Sequence, residues 1–198
     1  IFEEYLLFQI SLQIKRQSAK NKKGIAFINK GDYRMFFERG LPFKLTNAQR
    51  RVIEEIEKDM GSESPMNRLL QGDVGSGKTI CAIAAACIAI GSGYQVAFMA
   101  PTEILAEQQY FAIHRFFDDM GLTVTYLRGN MGKERMDIID SIKRDSTNVV
   151  VGTHALLQDD IEFKSLGLVV IDEQHRFGVM QRKILKEKGL FPDTLVMT

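Results

Sequence analysis

The sequence predicts an α/β fold in which helices cover both faces of a parallel β-sheet. From residue 44 onward, short apolar segments alternate with longer segments of helical periodicity. Segments such as 149–151 and 168–171 are apolar at every position. A strand with one face in water would alternate polar and apolar residues, so these strands are predicted to be buried on both faces. Several of them end at Gly, Pro or Asp, which places polar chemistry at the carboxyl edge of the sheet.

Each element follows from its local pattern. A helix is predicted over 46–59, where Val52, Ile53 and Ile56 are apolar. A second begins after Lys78 and ends at the glycines of 91–93. Further helices are predicted over 104–116 and 133–144, and strands over 68–71, 94–99, 122–127, 149–151, 168–171 and 194–197. This alternation assigns residues 44–198 to a single domain.

Residues 1–43 have a different character. Phe2, Leu6, Ile10 and Ile14 recur at helical spacing, which predicts an amphipathic helix over 1–19. Residues 20–43 form a polar, glycine-containing connection, and we expect this whole segment to come from an upstream domain that is missing here. Residues 11–30 hold six lysines and arginines and no acid. Such a run can attract a phosphate backbone or can simply be a solvated surface, and both interpretations stay open.

The composition is that of a globular protein in a reducing compartment. The 198 residues carry a formal net charge of +1, and 45% are hydrophobic. The two cysteines, Cys81 and Cys87, lie six positions apart on a predicted helix and cannot bridge each other. The first ten residues include two acids, unlike a signal peptide, and the longest apolar run is too short to span a bilayer. We expect a cytoplasmic protein that acts without a membrane.

A phosphate-binding loop is the most informative motif. Its fixed positions fit the pattern Gly-x-x-x-x-Gly-Lys-Ser/Thr. The glycines allow several backbone N–H groups to converge on one anion, and the following helix adds its dipole. Lys78 is predicted to reach the outer phosphates, and the hydroxyl of Thr79 to bind Mg²⁺. The residues of this predicted ATP site are Gly72, Asp73, Val74, Gly75, Ser76, Gly77, Lys78 and Thr79.

Two acids follow the most apolar strand. Asp172 and Glu173 come directly after 168–171. Mg²⁺ prefers oxygen ligands and keeps several waters, so a single carboxylate beside a triphosphate is sufficient. We predict that Asp172 holds Mg²⁺ together with Thr79 and that Glu173 polarises the attacking water.

The start of the first predicted helix has two interpretations. Thr46 followed three residues later by Gln49 forms a capping box. The Gln49 amide also offers a donor and an acceptor that suit a nucleotide base, on which Phe43 could stack. The residues alone favour the cap over base recognition.

The order of the motifs identifies a family. The chain resembles the first RecA-like motor domain of superfamily 2 helicases of the DExH type, and among them the bacterial enzymes that migrate DNA branches. The resemblance covers residues 41–198. It is carried by Leu45, Thr46 and Gln49, by GDVGSGKT at 72–79, APTE at 100–103, VGTHALLQ at 151–158, and DEQHRFGV at 172–179 with Gln181 and Arg182.

The resemblance implies roles that the residues alone do not give. It implies that Gln49 contacts adenine, which reverses the preference for a simple cap. It implies that His175 couples the nucleotide site to the DNA side. It also implies that two turns touch the nucleic-acid backbone, namely Pro101 with Thr102, and Gly152 with Thr153 and His154. Backbone amides and small hydroxyls can grip phosphates in this way without reading bases.

The resemblance also sets the expected function. It implies a monomeric ATP-dependent DNA helicase that reverses replication forks and migrates Holliday junctions in recombination and repair. A second RecA-like domain and a wedge domain would be its partners within the full-length chain. Arginines of the second motor domain would be absent from residues 1–198, so we expect this segment alone to bind ATP and Mg²⁺ weakly with little turnover. Two alternatives stay open, a transcription-repair coupling translocase and a nucleotide-dependent switch or kinase that binds no nucleic acid.

Overall fold

The computed structural model describes residues 4–11, 13, 23–28, 33–129, 131–132, 134–173 and 191–198. Its strands are β1 (Asn67–Leu70), β2 (Gln95–Met99), β3 (Val124–Leu127), β4 (Val149–Gly152), β5 (Leu166–Asp172) and β6 (Asp193–Met197). Its helices are α1 (Tyr33–Gly40), α2 (Asn47–Met60), α3 (Lys78–Gly91), α4 (Glu103–Asp118) and α5 (Glu134–Lys143), with a short 3₁₀ turn at His154–Leu157. Residues 4–11 are also helical.

The six strands form one sheet in the order β1-β6-β5-β2-β4-β3, and every pair is parallel. The predicted α/β class is therefore confirmed, with element boundaries within about two residues of the sequence expectation. Because all strands run in one direction, the loops that follow them gather at a single carboxyl edge. Among the described residues, no helix is long and apolar enough to cross a membrane.

Alternating residues of each strand contribute to two separate hydrophobic cores, one on each face of the sheet. On one face, Val96 and Phe98 of β2 belong to a cluster shared with α2, α3 and α4. On the other face, Ala97 and Met99 pack with α5 and the residues around the 3₁₀ turn. This alternation explains why the strands read as continuous apolar runs, since both of their faces are buried.

Helix α3 lies in the centre of the first face. Its residues 81–90 are all buried, and most of them are alanine or isoleucine. Alanine is the best helix former and its small side chain allows the helix to approach the sheet closely. Cys81 and Cys87 are both free and buried, as predicted. Burial raises the pKa of the Cys87 thiol to about 12, so that thiol is inert near neutral pH.

Helix α1 was not predicted from the sequence. Residues 20–43 were expected to form a polar connection, but Tyr33–Gly40 is helical and packs against α3. Phe37 is fully buried, with its ring centroid 6.1 Å from that of Phe116 on α4. The helix has only eight residues and a single buried side chain, and so short an element gives a weak signal within a segment that is otherwise polar. By contrast, the apolar residues of the helical segment 4–11, such as Leu7 and Phe8, are exposed.

Two buried polar residues organise the amino edge of the sheet. The Gln95 amide donates to the carbonyls of Ile142 (2.9 Å) and Thr147 (3.1 Å) and accepts from the Ser165 N–H (3.1 Å). The Asp193 carboxylate accepts a hydrogen bond of 2.7 Å from the Met66 N–H. Both groups join neighbouring segments where strands begin, which is the edge opposite to the predicted site.

Candidate nucleotide site and nucleic-acid interface

The predicted phosphate-binding loop connects β1 to α3. Gly75 and Gly77 have positive φ values of 81° and 84°, which glycine adopts without strain. Gly77 is the N-cap of α3 and, as a glycine, provides no side-chain cap for that end of the helix. The first N–H groups of α3 therefore point into the concavity of the loop, the arrangement that binds a phosphate group. Residues 71–76 are exposed, and Val74 is completely so.

The ammonium group of Lys78 lies across this loop. It donates to the carbonyl oxygens of Gly72 (2.6 Å) and Asp73 (2.9 Å). Both acceptors are backbone carbonyls of the phosphate-binding loop. Oxygens of a phosphate bound in the loop would replace these carbonyls as acceptors for the Lys78 ammonium group. Thr79 follows in the first turn of α3 and is half-buried.

The strand register brings the acidic pair to the same level of the sheet. Leu70, the last residue of β1, pairs with Met197, and Asp172, the last residue of β5, pairs with the same residue from the other side. Two strand spacings of about 4.8 Å therefore separate the two strand ends. The Glu173 N–H donates to the Met197 carbonyl (3.0 Å), and the Gly72 N–H donates to the Thr198 carbonyl (3.2 Å). The phosphate-binding loop and the acids thus share one edge, although they are distant in sequence.

The environment of Asp172 is partly buried and polar. Burial raises the pKa of its carboxyl group above the usual range, and the neighbouring charge of Glu173 raises it further. The Gln109 side chain and the charge of Lys78 oppose this rise in pKa. Gln109 Nε2 donates to Asp172 Oδ2 at 2.5 Å. An acid held among a cation, a second acid and an amide donor is typical of a functional site.

Glu173 has an unusual backbone conformation. Its φ is 56°, in the left-handed region that disfavours a residue with a side chain. Such outliers persist where the surrounding structure fixes them, and they concentrate at functional sites. The charge of Glu173 nevertheless remains close enough to Asp172 to raise its pKa.

Gln49 forms the predicted helix cap and also contacts the phosphate-binding loop. Its Oε1 accepts from the Thr46 N–H (2.9 Å), and its own N–H donates to Thr46 Oγ1 (3.2 Å), which completes the capping box of α2. Its Nε2 also donates to the Ser76 carbonyl in the phosphate-binding loop (3.0 Å). An added Cβ on Gly77 would lie 2.4 Å from Gln49 Nε2, so this contact also requires glycine at position 77.

Phe43 lies apart from the loop. It is 49% exposed and lines a cavity of about 530 Å³ between α1, α2 and the segment that joins them. Arg34, Arg50 and Glu54 contribute to the same cavity, and residues 72–79 do not. The structure therefore brings Gln49 into contact with the phosphate-binding loop, whereas Phe43 lines a cavity to which that loop does not contribute.

The two turns predicted to touch nucleic acid are neighbours. The Ala100 N–H donates to the Gly152 carbonyl (2.9 Å), so the turns after β2 and β4 lie side by side at the carboxyl edge. Pro101 is half-buried, while Thr102 and His154 are exposed. Thr153 is only 1% exposed. A contact with nucleic acid would need its hydroxyl at the surface, but the hydroxyl of Thr153 is buried.

Thr102 also has a local structural task. Its Oγ1 accepts from the Leu105 N–H (3.3 Å) and caps α4. The helix cap and the predicted backbone contact therefore coincide at this residue. His175, the predicted coupling residue, lies outside the described residues.

Gln109 was not predicted from the sequence as a residue of the site. This residue lies three positions after Ala106 and four before Ile113, both fully buried residues of α4. A polar side chain on the buried stripe of a helix was the available signal. The described residues contain no group of three or more His, Cys, Asp and Glu side chains that could enclose a metal ion.

This arrangement of a phosphate-binding loop, an acidic strand end and two adjoining turns belongs to a known class. The family model for DEAD/DEAH box helicases matches residues 46–197. The chain therefore belongs to the DEAD/DEAH box helicase family.

Within that family, the chain is similar to RecG helicases, as the motifs had predicted. It is 50% identical over 202 residues to the ATP-dependent DNA helicase RecG of Aquifex aeolicus, and 49% identical over 200 residues to that of Bacillus subtilis. Both alignments span the whole chain. The chain covers 25% of the length of the Aquifex protein and 29% of the Bacillus protein.

A solved structure of RecG bound to a three-way DNA junction has the same fold. It matches 99% of the chain with a TM-score of 0.86 and 45% sequence identity, and the match covers 26% of that longer chain. The predicted RecA-like motor fold is confirmed by this likeness together with the six-stranded parallel sheet.

Proposed function

We propose that the chain is the first motor lobe of an ATP-dependent DNA helicase that remodels branched DNA. The observation that carries this proposal is the shared pairing of Leu70 and Asp172 with Met197, which places the phosphate-binding loop and the acidic pair at one edge of the sheet. The similarity to proteins named ATP-dependent DNA helicase RecG supplies the reaction class.

The nucleotide is ATP in this proposal. Lys78 and the exposed N–H groups at the start of α3 bind its phosphates, and Gln49 is close enough to the loop to sense the bound nucleotide. The oxygen ligands at Thr79 and Asp172 suit Mg²⁺, which needs few protein ligands when phosphates and waters complete its shell. Mg²⁺ bound there would neutralise negative charge on the phosphate groups. Glu173 orients and deprotonates the attacking water.

The DNA contact lies on the adjoining part of the same edge. The turn at Pro101 and Thr102 and the turn before His154 grip a phosphate backbone through N–H groups and exposed side chains. Such contacts are independent of base sequence, which suits a motor that moves along DNA. The RecG structure with a three-way junction supports branched DNA as the substrate.

Turnover requires a second lobe in this proposal. ATP would close two RecA-like lobes and hydrolysis would open them, so that they step along the backbone. The second motor domain would supply arginines that stabilise charge on the transferring phosphoryl group, and a wedge domain would engage the branch point. The protein would act as a cytoplasmic monomer.

The test is ATP turnover by the full-length protein with and without DNA. Forked and three-way DNA should raise turnover at least tenfold, and Lys78→Ala should abolish the stimulated rate. Turnover that no DNA changes would overturn the helicase proposal and favour a switch or kinase. Stimulation by plain duplex that equals stimulation by branched DNA would instead favour the transcription-repair type of translocase.

The segment 1–198 provides a second test. It should bind ATP and Mg²⁺ weakly and hydrolyse ATP at a small fraction of the full-length rate. Turnover at the full-length rate by this segment alone would contradict the proposed need for a second lobe.

A further inference from the structure

We propose that Gln109 is a positioning residue that holds the Asp172 carboxylate and, through α4, ties it to the turn at Pro101 and Thr102. This inference rests on the proposed function, because it assigns a role between the nucleotide and DNA parts of the site. It is carried by the hydrogen bond between Gln109 and Asp172 and by the position of each residue in the fold.

The hydrogen bond crosses from one half of the site to the other. Asp172 ends β5, on the side of the sheet that carries the phosphate-binding loop. Gln109 belongs to α4, the helix that begins directly after the predicted DNA turn. Strands β5 and β2 are neighbours, so α4 starts at one half of the carboxyl edge and its second turn reaches the other half.

The helix between the two points is continuous and anchored at its start. Thr102 caps α4, and Gln109 follows seven residues later, which is about 10 Å along a helix axis. Ala106 and Ile113, on either side of Gln109, are fully buried, so this part of α4 is fixed against the sheet. A shift of the turn at Pro101 and Thr102 would therefore move the donor that holds Asp172.

The state of the Gln109 amide indicates that the contact with Asp172 determines its position. Its Oε1 is buried and has no hydrogen-bond partner among the described residues. Leaving a buried acceptor unpaired is unfavourable, and an apolar side chain of the same length would avoid it. The polar residue is therefore explained by its donor, which binds Asp172 Oδ2.

Outer hydrogen bonds of this kind fix the orientation of a metal-binding carboxylate. Loss of such a partner typically weakens metal binding about 10–100-fold. Gln109 touches neither the nucleotide nor the reacting atoms in this proposal, so its effect should appear in the Mg²⁺ requirement and in the response to DNA.

The experiment compares two neighbouring glutamines in the full-length protein. Gln109→Met keeps the length of the side chain and removes the donor, while Gln108→Met changes the adjacent exposed residue in the same way. Binding of a fluorescent ATP analogue is titrated with Mg²⁺ and repeated in EDTA. Gln109→Met should raise the Mg²⁺ midpoint about tenfold and leave binding in EDTA within twofold of wild type. Gln108→Met should change neither.

The second readout is the ratio of ATP turnover with forked DNA to turnover without it, at saturating Mg²⁺. Gln109→Met should lower this ratio at least threefold, and Gln109→His, which restores an N–H donor, should recover most of the loss. A wild-type Mg²⁺ midpoint in Gln109→Met, or equal shifts in both methionine variants, would overturn the proposal. Failure of Gln109→His to recover would also overturn it, because packing would then explain the loss.

The melting temperature of each variant shows whether the substitution has caused a folding defect. If Gln109→Met melts well below wild type, Gln109→Leu replaces it, because leucine also lacks a donor and adds no charge beside Asp172. If DNA does not change ATP turnover by the wild-type protein, only the proposed helicase function is contradicted. The Mg²⁺ midpoints would still decide whether Gln109 positions Asp172.

Discussion

Two aspartates on neighbouring strands sit at opposite edges of the sheet. Asp172 ends β5 at the carboxyl edge, and Asp193 begins β6 at the amino edge. Burial is the first cause of a raised pKa in both, and it raises the pKa of Asp193 to about 7. The same physical signal therefore appears in two places with different surroundings.

The surroundings separate function from structure. Asp172 has an amide donor, the charge of Lys78 nearby, an adjacent acid and partial exposure to solvent. Asp193 is fully buried, receives one backbone hydrogen bond from Met66, and leaves Oδ2 without a partner among the described residues. A perturbed pKa alone does not indicate a site. A perturbed pKa indicates a functional site where polar groups also converge at an edge of the sheet that a ligand can reach.

Glu173→Gln should give the largest effect at the carboxyl edge. Removing the base is expected to slow ATP turnover by the full-length protein about 10²–10⁴-fold while ATP binding stays near wild type. The check is steady-state turnover combined with equilibrium binding of an ATP analogue. Normal turnover in this variant would assign the base to another residue.

Lys78→Ala should weaken nucleotide binding. Loss of a charged donor to phosphate costs about 1.5–3 kcal/mol, or roughly 10–100-fold in affinity. The folded state should be almost unaffected, because the present partners of Lys78 are exposed carbonyls of the loop. Calorimetric titration with ATP and urea unfolding of the same variant measure the two quantities. Unchanged affinity would contradict the assignment of the loop as the phosphate site.

Asp193→Asn should show the opposite profile, with a change in stability and none in nucleotide binding. Because the folded-state pKa of about 7 lies above the ordinary value of 3.8, the folded protein holds a proton that the unfolded chain releases. Stability should therefore fall as pH rises from about 4 to 7. The variant should lack this part of the slope and exceed wild type by about 1–3 kcal/mol at pH 8.

Urea unfolding across this pH range measures the effect, and ATP titration is its control. An equal pH slope in wild type and Asp193→Asn would show that Asp193 is not the group responsible. A loss of ATP affinity in Asp193→Asn would contradict the assignment of a structural role to the amino edge and a functional role to the carboxyl edge.

Gln49→Ala should give the smallest effect and resolve its double role. The variant loses the side-chain acceptor for the Thr46 N–H and keeps the bond to Thr46 Oγ1, so the substitution should cost less than about 1 kcal/mol of stability. If Gln49 only caps α2 and supports the loop, the preference for ATP over GTP stays unchanged. If it reads adenine, that preference falls, and competition between ATP and GTP for the full-length protein distinguishes the two cases.

Much of the molecule followed from the sequence alone. The apolar runs specified strands buried on both faces, because the spacing of hydrophobic residues within a segment determines its secondary structure and can be seen in the local sequence. The loop at 72–79 needed no tertiary information either, since its glycines and Lys78 define a phosphate-binding geometry over eight consecutive residues. The acids at 172 and 173 were predicted from a strand that ends in carboxylates.

Only the tertiary structure decided which distant groups meet. The pairing of Leu70 and Asp172 with Met197 arises from the strand order, which no local pattern encodes. The contact of Gln109 with Asp172 depends on how α4 crosses the sheet, and the packing of α1 depends on where its one fully buried side chain, Phe37, meets the core. Short-range periodicity determines an element, but long-range packing determines its neighbours, and the chemistry of this site comes from those neighbours.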